Sequence, residues 1–247
     1  MKISVLTLFP DFINNIRDFS IVGRSIGQGK LELETVDIRD FAINKYLQVD
    51  DYPYGGGPGM LMQIKPIVEA IESVKTENSK VYYMSPQGKV LTQEKLKELK
   101  DEEHIILLNG HYEGIDNRVI ENYADEEISI GDYVLTGGEL ASMVVIDGVS
   151  RLLDGVLASE ESFEDESHYN GLLEHPQYTR PREFRGLEVP DILLSGDHEK
   201  IRKYRLRESI KNTLQKRPDL LKEKTLNDEE KDILKDLLEG GKDNGLY

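Results

Sequence analysis

The sequence predicts an α/β protein with a parallel sheet, followed by a smaller all-helical region. In the first 153 residues, short runs rich in Val, Ile and Leu alternate with amphipathic stretches. This order of strand, helix and strand is typical of a parallel sheet with helices on both faces. Beyond residue 171 the pattern gives way to helical periodicity that continues to the end of the chain.

The individual elements follow from the apolar pattern. Short apolar runs predict strands at 3–9, 31–38, 81–84, 105–108 and 128–130. Amphipathic spacing predicts helices at 11–26, 66–74, 93–99 and 115–123. A last helix over 138–153 has an apolar stripe that suits either the core or an interface.

An acidic segment separates the two regions. Residues 154–166 contain six acidic residues and no basic one, which is typical of a mobile linker. The predicted domains are therefore 1–157 and 172–247, joined by a flexible acidic linker over 158–171.

Composition excludes several classes of protein. The chain has no cysteine, so disulfides, thiolate nucleophiles and cysteine-ligated zinc are all excluded. The start MKISVLTLF has an apolar run too short for a signal peptide or a membrane span. We therefore expect a cytoplasmic protein that does not enter the membrane.

The charge is distributed unevenly along the chain. The net charge is -16, which opposes binding to nucleic acid as a whole. Residues 176–222, however, contain twelve Lys or Arg and seven Asp or Glu, a balance of +5, so the other 200 residues carry -21. This asymmetry suggests a basic working face on an acidic body, although a solvated helix face with mixed charges gives the same count.

Three polar, glycine-bearing loops follow three of the predicted strands. They read SPQGK, NGHYEGID and IGDYVLTGGE. Parallel sheets bind ligands outside the carboxyl ends of their strands, so these loops predict a binding crevice. None contains the G-x-G-x-x-G fingerprint, which disfavours a Rossmann dinucleotide or methyltransferase site.

The stretch YPYGGGPGM, residues 52–60, must be a loop because Gly and Pro are unsuited to helix and strand interiors. A linker or plain turn is one interpretation, and the wall of a cleft that admits a flat ligand is the other. A P-loop is disfavoured because the last glycine is followed by Met60 and Leu61 instead of Lys and Ser or Thr.

Taken together, these motifs resemble a known family. DDYPYGGGPGML, SPQGK, GHYEGID, SIGDYVLTGGE, GLLEHPQYTRP and VPDILLSGDHEKI resemble, in order and spacing, the bacterial tRNA (guanine-N1)-methyltransferases of the SPOUT class, the TrmD family. The resemblance extends from residue 1 to about residue 221. It implies a methyltransferase domain with a deep trefoil knot, a helical tRNA-binding domain, and an antiparallel homodimer with active sites at the subunit interface.

The activity that the resemblance implies is methyl transfer from S-adenosylmethionine to N1 of guanosine 37, 3′ of the anticodon, in tRNAs with guanosine at position 36. Neutral guanine carries a proton on N1, so the reaction needs a general base and a cationic or donor group near O6. Glu166 matches the position of the family's aspartate base, with Asp165 as the alternative, and Arg151 matches its catalytic arginine. Both acids also suit an ordinary acidic linker, and Arg151 also suits a helix C-terminus.

Two further groups of residues are carried over from the resemblance. The expected cofactor site consists of Ser85, Pro86, Gly110, Tyr112, Glu113, Gly114, Ser129, Ile130, Gly131, Tyr133, Leu135, Gly137 and Gly138. The expected tRNA contacts are Asp50, Gly57, Pro58, Gly59, His111, Glu174, Tyr178, Thr179, Arg180, His198, Arg202 and Lys203. His111 stands where several relatives have arginine, so a phosphate contact there would depend on pH, and a solvent-exposed loop histidine is the alternative.

The sequence also bears on metal binding and on two alternative functions. The five histidines have no zinc-ligand spacing, so we expect no structural metal. Relatives use Mg²⁺ in the transfer step, and the acids near the cleft could hold one. A non-catalytic RNA-binding module would not need Glu166 and Arg151, and an enzyme acting on a free nucleotide would not need a basic helical domain.

Overall fold

The computed structural model describes residues 1–157 and 166–242, with side chains to residue 239. The chain forms two compact units, Met1–Ala158 and Ser159–Tyr247. The predicted linker residues 158–165, Asp165 among them, lie outside the described residues.

A five-stranded parallel sheet forms the first unit. Its strands are β1 (Lys2–Thr7), β2 (Glu32–Asp37), β5 (Ser79–Val90), β6 (His104–Asn109) and β7 (Glu126–Ser129), in the spatial order β2-β1-β6-β5-β7. Every pairing within it is parallel. The predicted α/β class with a parallel sheet is thus confirmed. The short strands β3 (Asp50–Asp51) and β4 (Leu61–Met62) form a separate antiparallel pair.

Helices cover both faces of the sheet, as predicted. They are α1 (Pro10–Asn14), α2 (Ser20–Gly27), α3 (Ile64–Val74), α4 (Gln93–Lys100), α5 (Asn117–Tyr123) and α6 (Glu139–Ser150). Because strand side chains alternate between faces, Leu107 packs in one apolar cluster with α2, α4 and α6, whereas Leu108 packs in another with α3 and α5. The carboxyl ends of β5, β6 and β7 are thereby held on a rigid base.

The predicted helix over 11–26 is wrong in one respect. The chain forms α1, a 3₁₀ turn at Asn15–Asp18 and then α2. Phe19 before α2 is extended, and Ser20, the first residue of α2, has φ 54°. A side chain at Gly23 would lie 2.9 Å from the carbonyl oxygen of Arg17. Glycine therefore lets α2 fold back closely against the preceding turn.

The second unit contains three α-helices, a 3₁₀ helix at Asp191–Leu194 and one hairpin in its described part. The helices are α7 (His198–Lys216), α8 (Pro218–Glu223) and α9 (Asp228–Lys242). Strands β8 (Glu183–Phe184) and β9 (Leu187–Glu188) pair antiparallel around Arg185 and Gly186, which both have positive φ. An all-helical prediction is therefore wrong at residues 183–188, where the alternation is too short to be recognised as strands.

Candidate active site

Three loops enclose a cavity of about 360 Å³: one lies within β5, and the other two follow the carboxyl ends of β6 and β7. This volume lies in the range of small-molecule sites. All thirteen residues expected at the cofactor site line it: Ser85, Pro86, Gly110, Tyr112, Glu113, Gly114, Ser129, Ile130, Gly131, Tyr133, Leu135, Gly137 and Gly138. His111, expected to contact tRNA, lines the same cavity.

The first loop is a bulge within β5. Met84 and Lys89 both pair with Ile128, so residues 85–88 are pushed out of the ladder towards the cavity. A side chain at Gly88 would fall on the backbone of Glu127. Glycine in SPQGK therefore allows the strand to resume pairing directly after the bulge.

The second loop is hydrogen-bonded to the end of the glycine-rich stretch and to the strand that follows it. The Glu113 amide donates to the carbonyl of Met60 at 3.0 Å, and the Met62 amide donates to the carbonyl of Gly114 at 2.9 Å. A side chain at Gly59 would overlap Glu113. The stretch YPYGGGPGM thus lies beside the cavity, as expected for the wall of a cleft, and not in a linker between domains.

Two tyrosines line the cavity, Tyr112 in the second loop and Tyr83 in β5. Tyr112 has φ +59°, a left-handed conformation that costs a non-glycine residue about 1–2 kcal/mol. Burial and the nearby charge of Asp50, which also accepts a hydrogen bond from the phenol, raise the pKa of Tyr112. Asp50 is thereby placed at the rim of the cavity. Burial raises the pKa of Tyr83, on the cavity wall, to about 12, so its hydroxyl stays neutral.

Glycines in the third loop create the space of the cavity and its close packing. A side chain at Gly137 would overlap the His111 imidazole and lie 2.6 Å from Oε2 of Glu139. One at Gly138 would lie 2.6 Å from Oδ1 of Asn109. Glycine is therefore required at both positions for the loop to pack closely on Asn109, His111 and Glu139, and both positions line the cavity without a side chain.

The buried carboxylate of Glu139 joins two residues, Thr7 and His111, at the wall of this cavity. Oε1 of Glu139 accepts a 2.6 Å hydrogen bond from the hydroxyl of Thr7, and Nε2 of His111 lies 2.9 Å from both carboxylate oxygens. The His111 ring also packs on Phe9, with ring centroids 4.9 Å apart. The interpretation of His111 as a solvent-exposed loop residue is therefore wrong.

Thr7 and Glu139 were missed as site residues by sequence reasoning. Burial raises the pKa of Glu139, but hydrogen bonds from His111 and Thr7 outweigh burial, so the pKa lies below its usual value and the group is ionised at neutral pH. A signal was available: Glu139 is a charged residue at the start of a largely apolar helix, directly after two glycines.

The expected catalytic residues lie in different units. Arg151 is the C-cap of α6, and its amide donates to the carbonyl of Asp147 at 3.2 Å. Glu166 is the first described residue of the second unit, and its carbonyl accepts from the amide of Tyr169 at 3.3 Å. Arg151 therefore lies at the predicted helix end.

The expected tRNA contacts in the second unit differ in whether their side chains already bond to carboxylates of the protein. Tyr178, Thr179 and Arg180 are exposed, and His198 is the first residue of α7. The Arg202 guanidinium makes four hydrogen bonds of 2.7–3.0 Å, two to Glu199 and two to Glu229. These carboxylates raise the pKa of Arg202.

Arg202 is therefore already neutralised, and Lys203 lies 3.6 Å from the same Glu199. By contrast, none of the described carboxylates forms an ion pair with Arg205 or Arg207, and both side chains are exposed. Free cations gain more from phosphate than cations that must first leave a carboxylate. We therefore expect these two arginines to contribute more to phosphate binding than Arg202.

The described residues, 1–157 and 166–242, contain neither a candidate metal cluster nor a membrane-spanning helix. No group of three or more His, Asp or Glu side chains is arranged to hold a metal ion in that part of the chain. None of its helices is long and apolar enough to cross a membrane.

The chain is similar to proteins of known class over nearly its full length. A family model described as tRNA (Guanine-1)-methyltransferase TrmD matches residues 1–223. A tRNA (guanine-N(1)-)-methyltransferase of Ruminiclostridium cellulolyticum is 57% identical over 223 residues, 89% of this chain and 96% of the relative. Proteins of the same name from Clostridium botulinum strain 657 and Clostridium perfringens strain SM101 are 56% and 55% identical, covering 96% and 95% of this chain and 98% and 99% of theirs.

Proposed function

Because the chain belongs to the TrmD family of tRNA (guanine-1)-methyltransferases, we propose that its three-loop cavity binds S-adenosylmethionine and that the target guanine enters beside it. Members of this family methylate N1 of guanine in tRNA, so the protein is a transferase that acts on tRNA. The observation that carries the proposed cofactor site is the convergence of thirteen expected residues, from three separate loops, on one cavity.

The size and lining of the cavity support this proposal. Its volume suits a small molecule, and Gly110, Gly137 and Gly138 line it without side chains, because close packing on neighbouring residues requires glycine there. When bound, S-adenosylmethionine supplies a methyl group on a sulfonium, which a nucleophilic nitrogen can take. The chain's own residues then have to free the lone pair of guanine N1 and stabilise the charge that forms.

We assign these two tasks to Glu166 and Arg151. The carboxylate of Glu166 takes the proton from N1, which frees the N1 lone pair for the methyl group that bound S-adenosylmethionine would supply. Negative charge that moves onto O6 is met by the planar donors of the Arg151 guanidinium. Single-turnover rates test the base: Glu166→Gln should be slowed about a hundredfold or more. Slow transfer only in Asp165→Asn would move the role to the neighbouring residue.

The target base is proposed to be guanosine 37, preceded by guanosine 36. The glycine-rich stretch next to the cavity has Gly57 at φ 128° and Gly59 at φ 82°, and its bare backbone leaves room for a flipped base. Asp50, which accepts a hydrogen bond from Tyr112 on the cavity lining, is suited to accept from the N2 amino group of guanine, while the N1 proton goes to Glu166. Both features support a guanine site between the stretch and the cofactor.

The family also motivates proposals on assembly. We propose a homodimer in which each active site takes Arg151 from one chain and Glu166 from the other, and a deep trefoil knot around the three loops. Exposed Phe12, Phe19, Leu140 and Val144, on or beside α1, α2 and α6, are candidates for the dimer interface. We assign residues 1–157 to methyl transfer, 158–171 to an acidic linker and 172–247 to tRNA binding. We also propose that the protein acts in the cytoplasm and that Mg²⁺ assists the transfer.

Methyl transfer from labelled S-adenosylmethionine to tRNA transcripts tests the proposed substrate. Transcripts with guanosine at positions 36 and 37 should be methylated, and replacing guanosine 37 by adenosine should abolish transfer. Binding without transfer to any transcript would favour the non-catalytic RNA-binding module.

The cofactor site has its own test. Gly137→Ala puts a methyl group against His111 and Glu139 and should weaken S-adenosylmethionine binding, measured by calorimetry. Gly27→Ala is the matched control, because nothing lies within 4 Å of its added methyl group. Equal affinities for the two variants would place the cofactor elsewhere.

A further inference from the structure

The segment that begins at Glu166 is a compact, hydrogen-bonded turn. The His168 amide donates to the carbonyl of Leu172 at 2.7 Å, and the Glu174 amide donates to the hydroxyl of Ser167 at 2.9 Å. Leu172 is buried, with 3% of its surface exposed. The backbone next to Glu166 is therefore fixed by local contacts within this turn.

Helix α7 holds the far end of the same turn. The Leu173 amide donates to Oγ1 of Thr213 at 2.9 Å, and the Leu173 carbonyl accepts from the hydroxyl of Ser209 at 2.6 Å. The carbonyl of Glu174 accepts from Nδ2 of Asn212 at 2.9 Å. Thr213 is fully buried, and its own hydroxyl proton is donated to the carbonyl of Ser209 at 2.8 Å. Its acceptor is thus aimed at Leu173 in a fixed direction.

Three polar side chains of α7 bind one short stretch of backbone. Each bonds to one group among the Leu173 N–H, the Leu173 C=O and the Glu174 C=O, and apolar side chains in their place would leave these partly buried groups unsatisfied. Hydrogen bonds fix direction as well as proximity. The same helix carries His198 and Lys203, which are expected to contact tRNA.

We propose that Ser209, Asn212 and Thr213 are positioning residues that set the place of the Glu166 carboxylate. This inference rests on the proposed role of Glu166 as the base. When helix α7 binds tRNA, its bonds to the turn place the Glu166 carboxylate against the target guanine. Binding of the tRNA and placement of the general base are therefore coupled. A displacement of the order of 1 Å in a catalytic group can cost about a hundredfold in rate, so loss of these bonds should slow the chemistry.

Thr213→Val is the main test, because it keeps the shape of the side chain and removes the hydroxyl. Single-turnover methyl transfer should slow by roughly tenfold to a hundredfold, with unchanged affinities for tRNA and S-adenosylmethionine. Thr213→Ser retains the hydroxyl and should restore the rate. Ser73→Ala, which removes a helical serine hydroxyl bonded to the carbonyl of Ala70 in the first unit, is the control. Ser209→Ala repeats the test if Thr213→Val does not fold.

A double variant separates positioning from a general structural effect. In a Glu166→Gln background, Thr213→Val should cause no additional loss of rate, because the group that it positions has lost its function. A loss that multiplies with that of Glu166→Gln would overturn the proposal, as would a normal rate in Thr213→Val or a defect confined to tRNA affinity. A normal rate in Glu166→Gln alone would refute the base assignment itself, which is a distinct result.

Discussion

Replacing Glu139 should reveal how strongly a buried carboxylate stabilises the cavity. Its oxygens accept the Thr7 hydroxyl at 2.6 Å and contact His111 at 2.9 Å. Hydrogen bonds to a charged group contribute about 1.5–3 kcal/mol, and Glu139→Ala also leaves the Thr7 hydroxyl without its acceptor. We therefore expect the free energy of unfolding at pH 7 to fall by about 2–4 kcal/mol, and the melting temperature by roughly 5–10 °C.

Glu139→Gln should be milder, and its effect should depend on pH. The amide can still accept from Thr7, but its NH₂ group then faces His111, so we expect a loss of about 1 kcal/mol. The pKa of Glu139 is lowered in the folded protein from a usual 4.5. Its stabilisation is therefore complete above pH 4.5 and is lost as pH falls through the lower folded value.

Urea unfolding over a pH series measures this difference. The difference in the free energy of unfolding between wild type and Glu139→Gln should disappear on acidification. Calorimetry should show weaker S-adenosylmethionine binding by the variant, because His111 loses the carboxylate that holds it on the cavity wall. Glu98→Ala is the control. Glu98 is 67% exposed, and its partner among the described residues, Lys95, keeps a second bond to Glu126, so we expect a change within about 0.5 kcal/mol. Equal losses for Glu98→Ala and Glu139→Ala, or a gap that is independent of pH, would refute the reasoning.

Two further predictions concern tRNA binding and assembly. The double variant Arg205→Ala with Arg207→Ala should lower the salt dependence of tRNA affinity by about two in slope, whereas Arg202→Ala should leave the slope almost unchanged because its charge is already paired. The reverse order of effects, measured by filter binding from low to high salt, would return the phosphate contact to Arg202. Mixing Arg151→Ala chains with Glu166→Gln chains should restore methyl transfer in heterodimers, and a wholly inactive mixture would argue against sites shared between chains.

Much of the first unit was predictable because its signals are local. The short apolar runs at β1 and β6 indicate buried strands, and the alternation of strands with helices indicates a parallel sheet. The loops that line the cavity were recognisable because their glycines and polar residues occur in continuous motifs. The break at Phe19 was missed, since an amphipathic period continues on both sides of it.

The tertiary structure decided what depends on residues that are far apart in the chain. Thr7 and Glu139 are 132 residues apart, and no local period indicates that strand β1 presents its last hydroxyl to the first turn of α6. Arg202 and Glu229 are 27 residues apart, and the basic count of the segment hides the fact that α9 neutralises one of its cations. Composition and spacing therefore determined which groups were available to the site. Only folding, which selects a partner for each buried or charged group, determined which of them remain available for ligand and tRNA.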